Sequence, residues 1–316
     1  MADFVIIPDA ACSMTKDLRE RFDIPDYIRT RITFPDGSQH DTTLDWEEIS
    51  ADDYYLSMRE HKAIYKTGVG SIDAAAEVFE RYLKIGMDVL SITLSTGISG
   101  TYGVFVKAAE QLKEKYPDRK VVIVDSLRYG FAITQMIIKA AEMRDEGKSI
   151  EEVAAWLEAN RNCYHQMGVM DDLFFLARTG RVTNFKAFFG TLVGVNAMGD
   201  YSRAGISEVL GKIKGKKKAL DATIEYLKRT VVDPENQIMF IGHTLKPDTA
   251  EILRDMVQEA VHPTFSSLFP GPSSPTTSPT TRTASSSPST NPIGGPRPMS
   301  SGRSSSRPSG TSARRT

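Results

Sequence analysis

The most constraining feature of the sequence is the stretch 89–112, in which an apolar run leads into a polar turn and then into an amphipathic pattern. Residues 89–94 have the length and boundaries of a buried strand. The next seven residues, 95–101, hold four hydroxyls and two glycines. From Thr101 onward apolar residues recur at three- and four-residue steps, which predicts a helix whose free backbone N–H groups point at the hydroxyls. A strand-to-helix turn of this composition favours an anion.

A second turn of similar chemistry is predicted at residues 67–71, which read Thr-Gly-Val-Gly-Ser. Ser71 is the predicted N-cap of the helix that follows. Taken alone, each group of hydroxyls is explained by helix capping beside glycines in a tight turn. Because two separate turns offer the same chemistry, a carboxylate or phosphate site is the favoured interpretation.

The first 160 residues alternate predicted strands with predicted helices, which is typical of a parallel sheet covered by helices. We therefore predict an N-terminal α/β/α domain over residues 1–160. Its strands are predicted at residues 4–7, 89–94 and 121–124. Parallel sheets place binding sites at the carboxyl ends of their strands, where Asp9, Ser95 and Asp125 stand.

The pattern changes after Tyr164 and predicts a second, smaller mixed α/β domain over residues 161–262. Its predicted strands are 167–170, 209–213 and 238–241, and its predicted helices are 173–177, 216–229 and one that begins near Pro247. A turn is predicted at residues 179–181.

The composition changes abruptly at residue 263. From there to residue 316, eight residues are not Ser, Thr, Pro, Gly or Arg, so we predict a disordered tail over residues 263–316. The tail carries six Arg and no Lys, Asp or Glu, so the net charge of −1 leaves the body acidic. An acidic body argues against nucleic acid as the main partner.

Several classes of protein lack their signatures in this sequence. Gly147-Lys148-Ser149 has no glycine five positions earlier, so the P-loop pattern fails, and no dinucleotide fingerprint or His/Cys metal cluster is present. We therefore expect neither cofactor nor metal. Two distant cysteines, no apolar run of roughly 18 residues and no basic leader at the N-terminus indicate a cytoplasmic protein without a transmembrane segment.

Two alternatives to simple ligand binding remain open at the 95–101 turn. Residues 97–101 are one residue short of a nucleophile elbow, and Asp171 or Asp172 and His243 follow Ser99 in the chain order of a hydrolase. A serine hydrolase using Ser99 is therefore one alternative. A phosphate-binding or phosphotransfer module is the other.

Two further residues and one lysine-rich run have two interpretations each. His243 at a strand end fits a structural histidine or a ligand contact. Arg181 after Gly180 fits a cap on a helix carboxyl end or an anion contact. The lysine-rich run 212–218 fits a solvated helix start or a docking site for a partner.

Several stretches together resemble the DegV family of fatty-acid-binding proteins. Residues 67–71 occupy the place of the family's TSQPS motif, and LSTGISGTY resembles its SSxLSGTY signature. VVIVDS is similar to its VVDS strand, DDLFFLARTGRV to its DDLxYLxxGGRI segment, and GKIKGKKKAL to its KxRxxKKAL. The likeness covers most of residues 3–260.

The resemblance implies a two-domain DegV-like fold, the EDD fold, that clasps one long-chain fatty acid. Relatives of this kind are bacterial carriers without catalytic residues. They present the carboxylate to a separate fatty acid kinase component, which makes acyl phosphate for phospholipid synthesis, and the role allows transient contact with a membrane surface.

The resemblance also implies site residues, by their positions in the motifs. Thr67 and Ser99 should hold the head group. The residues that should line the same turns are Ser71, Ser95, Thr96 and Gly100. Arg181 is the first candidate for a contact with the kinase or its phosphate, and His243 is the second.

The sequence departs from the family's pattern at three places in its motifs. TSQPS is replaced by Thr-Gly-Val-Gly-Ser, Thr179 replaces the second glycine of GGR, and residues 195–197 replace an IKP motif. The family's last strand and HTGPG loop should follow Val261, where the Ser/Pro-rich tail stands instead. We therefore expect a second domain that lacks its last strand and loop.

Overall fold

A computed structural model of the chain describes residues 4–170, 181–183, 195–263, 265–270 and 281–286. The elements of the first part are β1 (Phe4–Ile6), α1 (Lys16–Arg21), β2 (Arg31–Thr33), β3 (Gln39–Asp41), α2 (Ala51–Glu60), β4 (Lys66–Gly68), α3 (Ile72–Leu83), β5 (Asp88–Thr93), α4 (Thr101–Lys113), β6 (Val121–Asp125), α5 (Phe131–Asp145) and α6 (Ile150–Asn160). Those of the second part are β7 (His165–Met170), β8 (Val182–Thr183), β9 (Val195–Tyr201), β10 (Ser207–Lys214), α7 (Lys216–Thr230), β11 (Ile238–His243), α8 (Pro247–Val261), β12 (Phe265–Pro270) and β13 (Thr281–Ser286).

The first sheet is parallel, with strand order β1-β5-β6. Because successive side chains of a strand point to opposite faces, its two faces build two clusters. Val5 and Val89 pack with α3 and α4 on one face. Ile6 and Leu90 pack with α5 and α6 on the other. The predicted α/β fold with a helix-covered parallel sheet is confirmed.

Helix α5 joins the first sheet to the second part of the chain. Twelve of its 15 residues are buried, which is the pattern of a helix that lies between two packing partners. The ring of Phe131 stacks on that of Phe240 in β11, with centroids 5.4 Å apart. Gln135 Nε2 donates to the carbonyl oxygen of Ile238 at 2.8 Å. The two parts of the molecule therefore share one hydrophobic core.

A small antiparallel sheet, of order β3-β2-β4, carries α2 on one face. Aromatic rings fill the space between them, with Tyr54 and Tyr65 centroids 4.4 Å apart. Thr67 belongs to this sheet, opposite Ile32 of β2. The prediction of a turn from residue 67 is therefore wrong at its start, because pairing with β2 keeps the backbone extended through Gly68.

The described residues of the second part of the chain form a seven-stranded sheet with order β12-β11-β13-β7-β9-β10-β8. Helices α7 and α8 pack together on it through an apolar cluster that contains Leu220, Ile241 and Leu253. The predicted strands within β7, β10 and β11 and the predicted helices α7 and α8 are confirmed. The predicted helix at residues 173–177 lies outside the described residues, and the domain boundaries stay predictions.

Two strands lie in the segment that the composition predicts to be a disordered tail. Residues 265–270 pair in parallel with β11, and residues 281–286 lie between β11 and β7. Strands therefore occur at these two stretches of the predicted tail, and the missing last strand and loop of the second domain stay a prediction. A strand joins a sheet through its backbone N–H and C=O groups, which an argument from side-chain composition does not weigh.

Candidate functional site

The turn between β5 and α4 lies at the carboxyl edge of the parallel sheet, as predicted, and Ser95 is at its centre. The Ser95 side chain is fully buried. Its carbonyl oxygen accepts from the backbone N–H groups of Ile98 at 3.2 Å and Ser99 at 3.0 Å. Its Oγ accepts from Gly97 N at 3.1 Å and donates to the carbonyl oxygen of Gly205 at 2.7 Å. Ser95 therefore shapes the turn and ties it to the loop between β9 and β10.

Ser99 and Thr101 bring two hydroxyls to the start of α4. Their oxygens lie 2.9 Å apart, and Thr101 N donates to Ser99 Oγ at 3.3 Å. Ser99 is half-buried, whereas Gly100, the N-cap of α4, is exposed. The N-cap residue Gly100 has no side chain to cap α4, as is also true of the N-caps of α5 and α7, whereas Ser or Thr side chains cap α1, α2, α3 and α6. The start of α4 therefore offers hydroxyls and backbone donors to a ligand.

The second predicted group of hydroxyls meets the first through Val69. A Cβ placed on Gly100 would lie 3.8 Å from Val69 Cγ1, so the loop after β4 contacts the start of α4. Thr67 lies two residues before Val69 and is exposed. Gly70 packs closely on the neighbouring backbone, since a Cβ there would lie 2.9 Å from the carbonyl oxygen of Arg29. The two stretches that the sequence singles out thus come together.

Ser71 has a structural partner in this arrangement. Its hydroxyl accepts from Ala74 N at 3.0 Å and caps α3, as predicted. We expect Ser71→Ala to lower the free energy of unfolding by about 1 kcal/mol, because one backbone donor of α3 loses its partner. Chemical denaturation measures this, with Ser71→Asn as the control that keeps a capping oxygen. Equal stability of Ser71→Ala and the unchanged protein would contradict the capping role.

Thr96 is held by the neighbouring strand end. Its N–H and its Oγ1 donate to the two carboxylate oxygens of Asp125, at 3.2 and 2.6 Å. Asp125 Oδ1 also accepts from Leu127 N at 3.1 Å. The Thr96 hydroxyl is therefore committed to the carboxylate of Asp125, which fixes the outer side of the turn.

Asp9 closes the same edge from β1. Its carboxylate is fully buried and accepts from Ala11 N and Leu94 N, each at 2.8 Å. Burial raises the pKa of Asp9 to about 6, although the two N–H bonds favour the ionised form. Asp9 thereby joins the ends of β1 and β5 immediately before the hydroxyl-rich turn.

The two candidates for an anion or partner contact lie in the second part of the chain. His243 ends β11 and is half-buried, and its Nδ1 accepts from Lys246 N at 3.4 Å. Burial lowers the pKa of His243, against an opposing effect of Asp52 in α2. Leu245, just after His243, packs against the aromatic cluster of the small sheet. Arg181 is exposed, and Thr179 and Gly180 before it lie outside the described residues.

One element of the site is absent from the sequence-based predictions. The loop 202–206 between β9 and β10 presses on the 95–101 turn, since a Cβ on Gly97 would lie 2.5 Å from the carbonyl oxygen of Ala204. Gly205 has a φ of +71°, and Tyr201 before the loop accepts from Tyr129 N at 3.2 Å. The Ala-Gly pair between two strand-like runs was the available turn signal.

The fold and the site define a class of protein. A three-layer α/β domain shares a buried helix with a second, mostly antiparallel domain, and hydroxyl-rich turns lie at the carboxyl edge of the parallel sheet. None of the helices in the described part of the chain combines the length and the apolar character that crossing a bilayer requires.

Comparison with known proteins identifies the family. The sequence model of the DegV family, described as uncharacterised proteins, matches residues 3–277. A DegV domain-containing protein of Clostridium perfringens is 32% identical over 259 residues, which make up 82% of this chain and 88% of that protein. The chain belongs to the DegV family.

Solved structures of the same family share the fold. A fatty-acid-binding DegV family protein from Thermus thermophilus superposes with a TM-score of 0.79 at 23% identity, covering 90% of this chain and 99% of that one. A DegV lipid-binding protein from Thermotoga maritima superposes with a TM-score of 0.78 at 23% identity, covering 90% of this chain and 98% of that one. At these identities the likeness establishes the fold.

Proposed function

We propose that the protein binds one long-chain fatty acid between its two domains and presents the carboxylate to a separate kinase that forms acyl phosphate. It acts in the cytoplasm as a carrier, without a cofactor and without chemistry of its own. The observation that carries the proposal is the start of α4, whose N-cap Gly100 makes no side-chain bond and where Ser99 and Thr101 meet the loop after Thr67. DegV proteins of the same fold from Thermus thermophilus and Thermotoga maritima bind fatty acid or lipid, which supports it.

The chemistry of this site suits a carboxylate. An anion gains from the hydroxyl donors and from the positive end of the helix dipole, because both place partial positive charge at the same point. Each such bond contributes about 1.5 to 3 kcal/mol, much of it offset by removal of the carboxylate from water. An alkyl chain of about fifteen methylenes contributes roughly 12 kcal/mol before the costs of association. The acyl chain therefore supplies the affinity, and the hydroxyls orient the head group.

The hydrolase alternative needs a base beside Ser99. Within the described residues, the Ser99 hydroxyl is paired with Thr101, and Nδ1 of His243 accepts from Lys246 N. Asp171 and Asp172 lie outside the described residues. Paired hydroxyls at a helix start are donors for a ligand, whereas a nucleophile would be paired with a histidine, so this geometry favours the carrier.

We expect Ser99→Ala to weaken binding of palmitic acid about tenfold, because it removes one charge-assisted hydrogen bond of the carboxylate. Isothermal titration calorimetry on delipidated protein measures the affinity. Ser149→Ala is the matched control: Ser149 caps α6 away from this turn, so its loss should cost about 1 kcal/mol of stability without changing affinity.

Three results would count against the proposal. Mass spectrometry of lipid extracted from the purified protein should find an acyl chain, and its absence even after expression with added fatty acid would overturn the binding role. Labelling of Ser99 by a fluorophosphonate probe would favour the hydrolase. Stabilisation by phosphate compounds, with indifference to lipid, would favour the phosphate-binding module.

A further inference from the structure

A buried carboxylate at the end of β9 has no part in the site described so far. Asp200 is 7% exposed, and its Oδ1 accepts from Gln166 N at 3.0 Å. Its Oδ2 accepts from His165 Nδ1 at 2.7 Å and from the Tyr226 hydroxyl at 2.5 Å. Burial raises the pKa of Asp200, but the hydrogen bonds from His165, Tyr226 and Gln166 outweigh it and hold the pKa below its ordinary value. Asp200 thus anchors the end of β9 to both β7 and α7.

The chain that follows Asp200 is a closed loop. Ser202 N donates to the carbonyl oxygen of Ile206 at 2.9 Å, and Gly205 N donates to that of Ser202 at 3.0 Å. Ser202 Oγ also accepts from Ile206 N at 3.2 Å. Because these bonds fix its internal shape, loop 202–206 follows any movement of its anchor at Asp200.

The tip of the loop is the partner of the turn before α4. Gly205 offers its carbonyl oxygen to Ser95 Oγ, and the Ser95 carbonyl oxygen in turn accepts from Ile98 and Ser99. Hydrogen bonds therefore connect Gly205 to Ser95 and Ser95 to Ser99, while Asp200 is joined to loop 202–206 through the backbone of Tyr201.

The same edge of the sheet carries a buried cation that faces this series. Arg128 is 2% exposed, and its guanidinium carbon lies 5.2 Å from the ring centroid of Tyr201, the residue after Asp200. Its backbone carbonyl oxygen accepts from Ser95 N at 3.0 Å. Arg128 therefore holds the backbone of Ser95 from one side while Gly205 holds its hydroxyl from the other.

A role in stability alone does not account for a carboxylate at this place. Burying a charge is costly, and well-packed apolar residues of similar volume commonly replace buried ion pairs without loss of stability. A carboxylate can fix the orientation of the end of β9, because its two oxygens accept hydrogen bonds from three donors on two elements, β7 and α7.

We propose that Asp200 is a positioning residue for the fatty-acid head group, which fixes loop 202–206 so that Gly205 holds Ser95 and Ser95 sets Ser99. The expected effect on fatty-acid binding rests on the proposed function. Its structural step, from Asp200 to the turn before α4, does not depend on which ligand binds.

The binding test is a double-mutant cycle with palmitic acid on delipidated full-length protein. Asp200→Asn replaces one acceptor oxygen by an NH₂ group that opposes the donors of His165 and Tyr226, so we expect affinity to fall about tenfold. Asp221→Asn, a change on the same helix as Tyr226 at a side chain that is 47% exposed, should leave affinity within twofold. In a Ser95→Ala background, Asp200→Asn should weaken binding less than twofold further. Full additivity of the two changes would overturn the inference.

The ligand-free test measures hydrogen exchange at the amides of Ile98 and Ser99. Tyr226→Phe removes one donor from Asp200 without removing the carboxylate, so it remains useful if Asp200→Asn does not fold. We expect exchange at both amides to accelerate about tenfold while amides within α3 keep their rates. Unchanged rates at Ile98 and Ser99 would overturn the inference. If the unchanged protein binds no palmitic acid, the proposed function fails, and the exchange rates still decide the structural step.

Discussion

Gly205→Ala is expected to lower the free energy of unfolding by about 2–5 kcal/mol and to weaken fatty-acid binding sharply. A Cβ at this position would lie 2.1 Å from Ser95 Oγ and 2.9 Å from Leu127 Cα. The residue also has a φ of +71°, where a side chain costs about 1–2 kcal/mol, and forced overpacking adds about 1–3 kcal/mol. Denaturant titration measures the stability and calorimetry with palmitic acid the affinity.

Two control substitutions separate the causes. Gly37 has a φ of +87° with nothing within 4 Å of a Cβ, so Gly37→Ala should show the backbone cost alone, about 1 kcal/mol. Gly211, in the strand after the loop, has free space and no positive φ, so Gly211→Ala should be neutral or slightly stabilising. If Gly205→Ala destabilises no more than Gly37→Ala, the contact of the loop with Ser95 is not close-packed.

The second large effect concerns the buried carboxylate of Asp9. Its pKa in the folded protein is about 6, against 3.8 for the ordinary group, so between these values the folded state binds a proton that the unfolded state does not. Stability from this group is therefore fully present below about pH 4 and is lost as the pH rises through 6. A shift of this size corresponds to about 3 kcal/mol at most.

Asn at position 9 cannot take up this proton. Comparing the free energies of unfolding of Asp9→Asn and the unchanged protein at several pH values therefore measures the contribution of the proton. As the pH falls from 7 to 4, we expect the free energy of unfolding of the unchanged protein to rise by up to about 3 kcal/mol relative to that of Asp9→Asn. At pH 7 two effects of the substitution oppose each other, because it removes a buried charge and also removes an acceptor from Leu94 N.

A carboxyl with the opposite shift supplies the control. Hydrogen bonds from Ser38 hold the pKa of the exposed Asp36 below its ordinary value. The unchanged protein should therefore lose stability relative to Asp36→Asn as the pH falls. This change in the free energy of unfolding should be smaller than the change for Asp9, because Asp36 is exposed. A constant difference in free energy of unfolding between the unchanged protein and Asp9→Asn across pH 4–7 would contradict the raised pKa of Asp9.

The sequence predicts most of the regular elements because each carries its own local signal. The alternation in residues 89–94 reflects a strand buried on both faces, and Ser71 is visible as a cap because it bonds to a backbone group three residues away. The sequence predicts an extended stretch at residues 24–33 and a turn at residues 36–37, but not the small sheet that they join, since its strands are three residues long and pack against α2. Strand pairing at residues 265–270 depends on a distant partner, β11, which local composition does not report.

The same distinction applies to the candidate site. Ser99 and the turn around it could be predicted because hydroxyls and glycines lie side by side in the sequence. Asp200 and Gly205 lie more than 100 positions away from Ser95, and their roles depend on how two sheets meet. One sequence does not show contacts between residues so far apart. It shows only that Gly205 lies in a turn and that Asp200 lies near the end of a strand.

The buried helix α5 limits how the molecule can move. Spreading the two sheets apart would bring the stacked rings of Phe131 and Phe240 into water and break the bond from Gln135 to Ile238. Exposing two such rings costs several kcal/mol, so the populated conformations keep both sheets fixed on this helix. Under the proposed function, a fatty acid would then enter and leave by displacement of surface segments, while α5 stays in place.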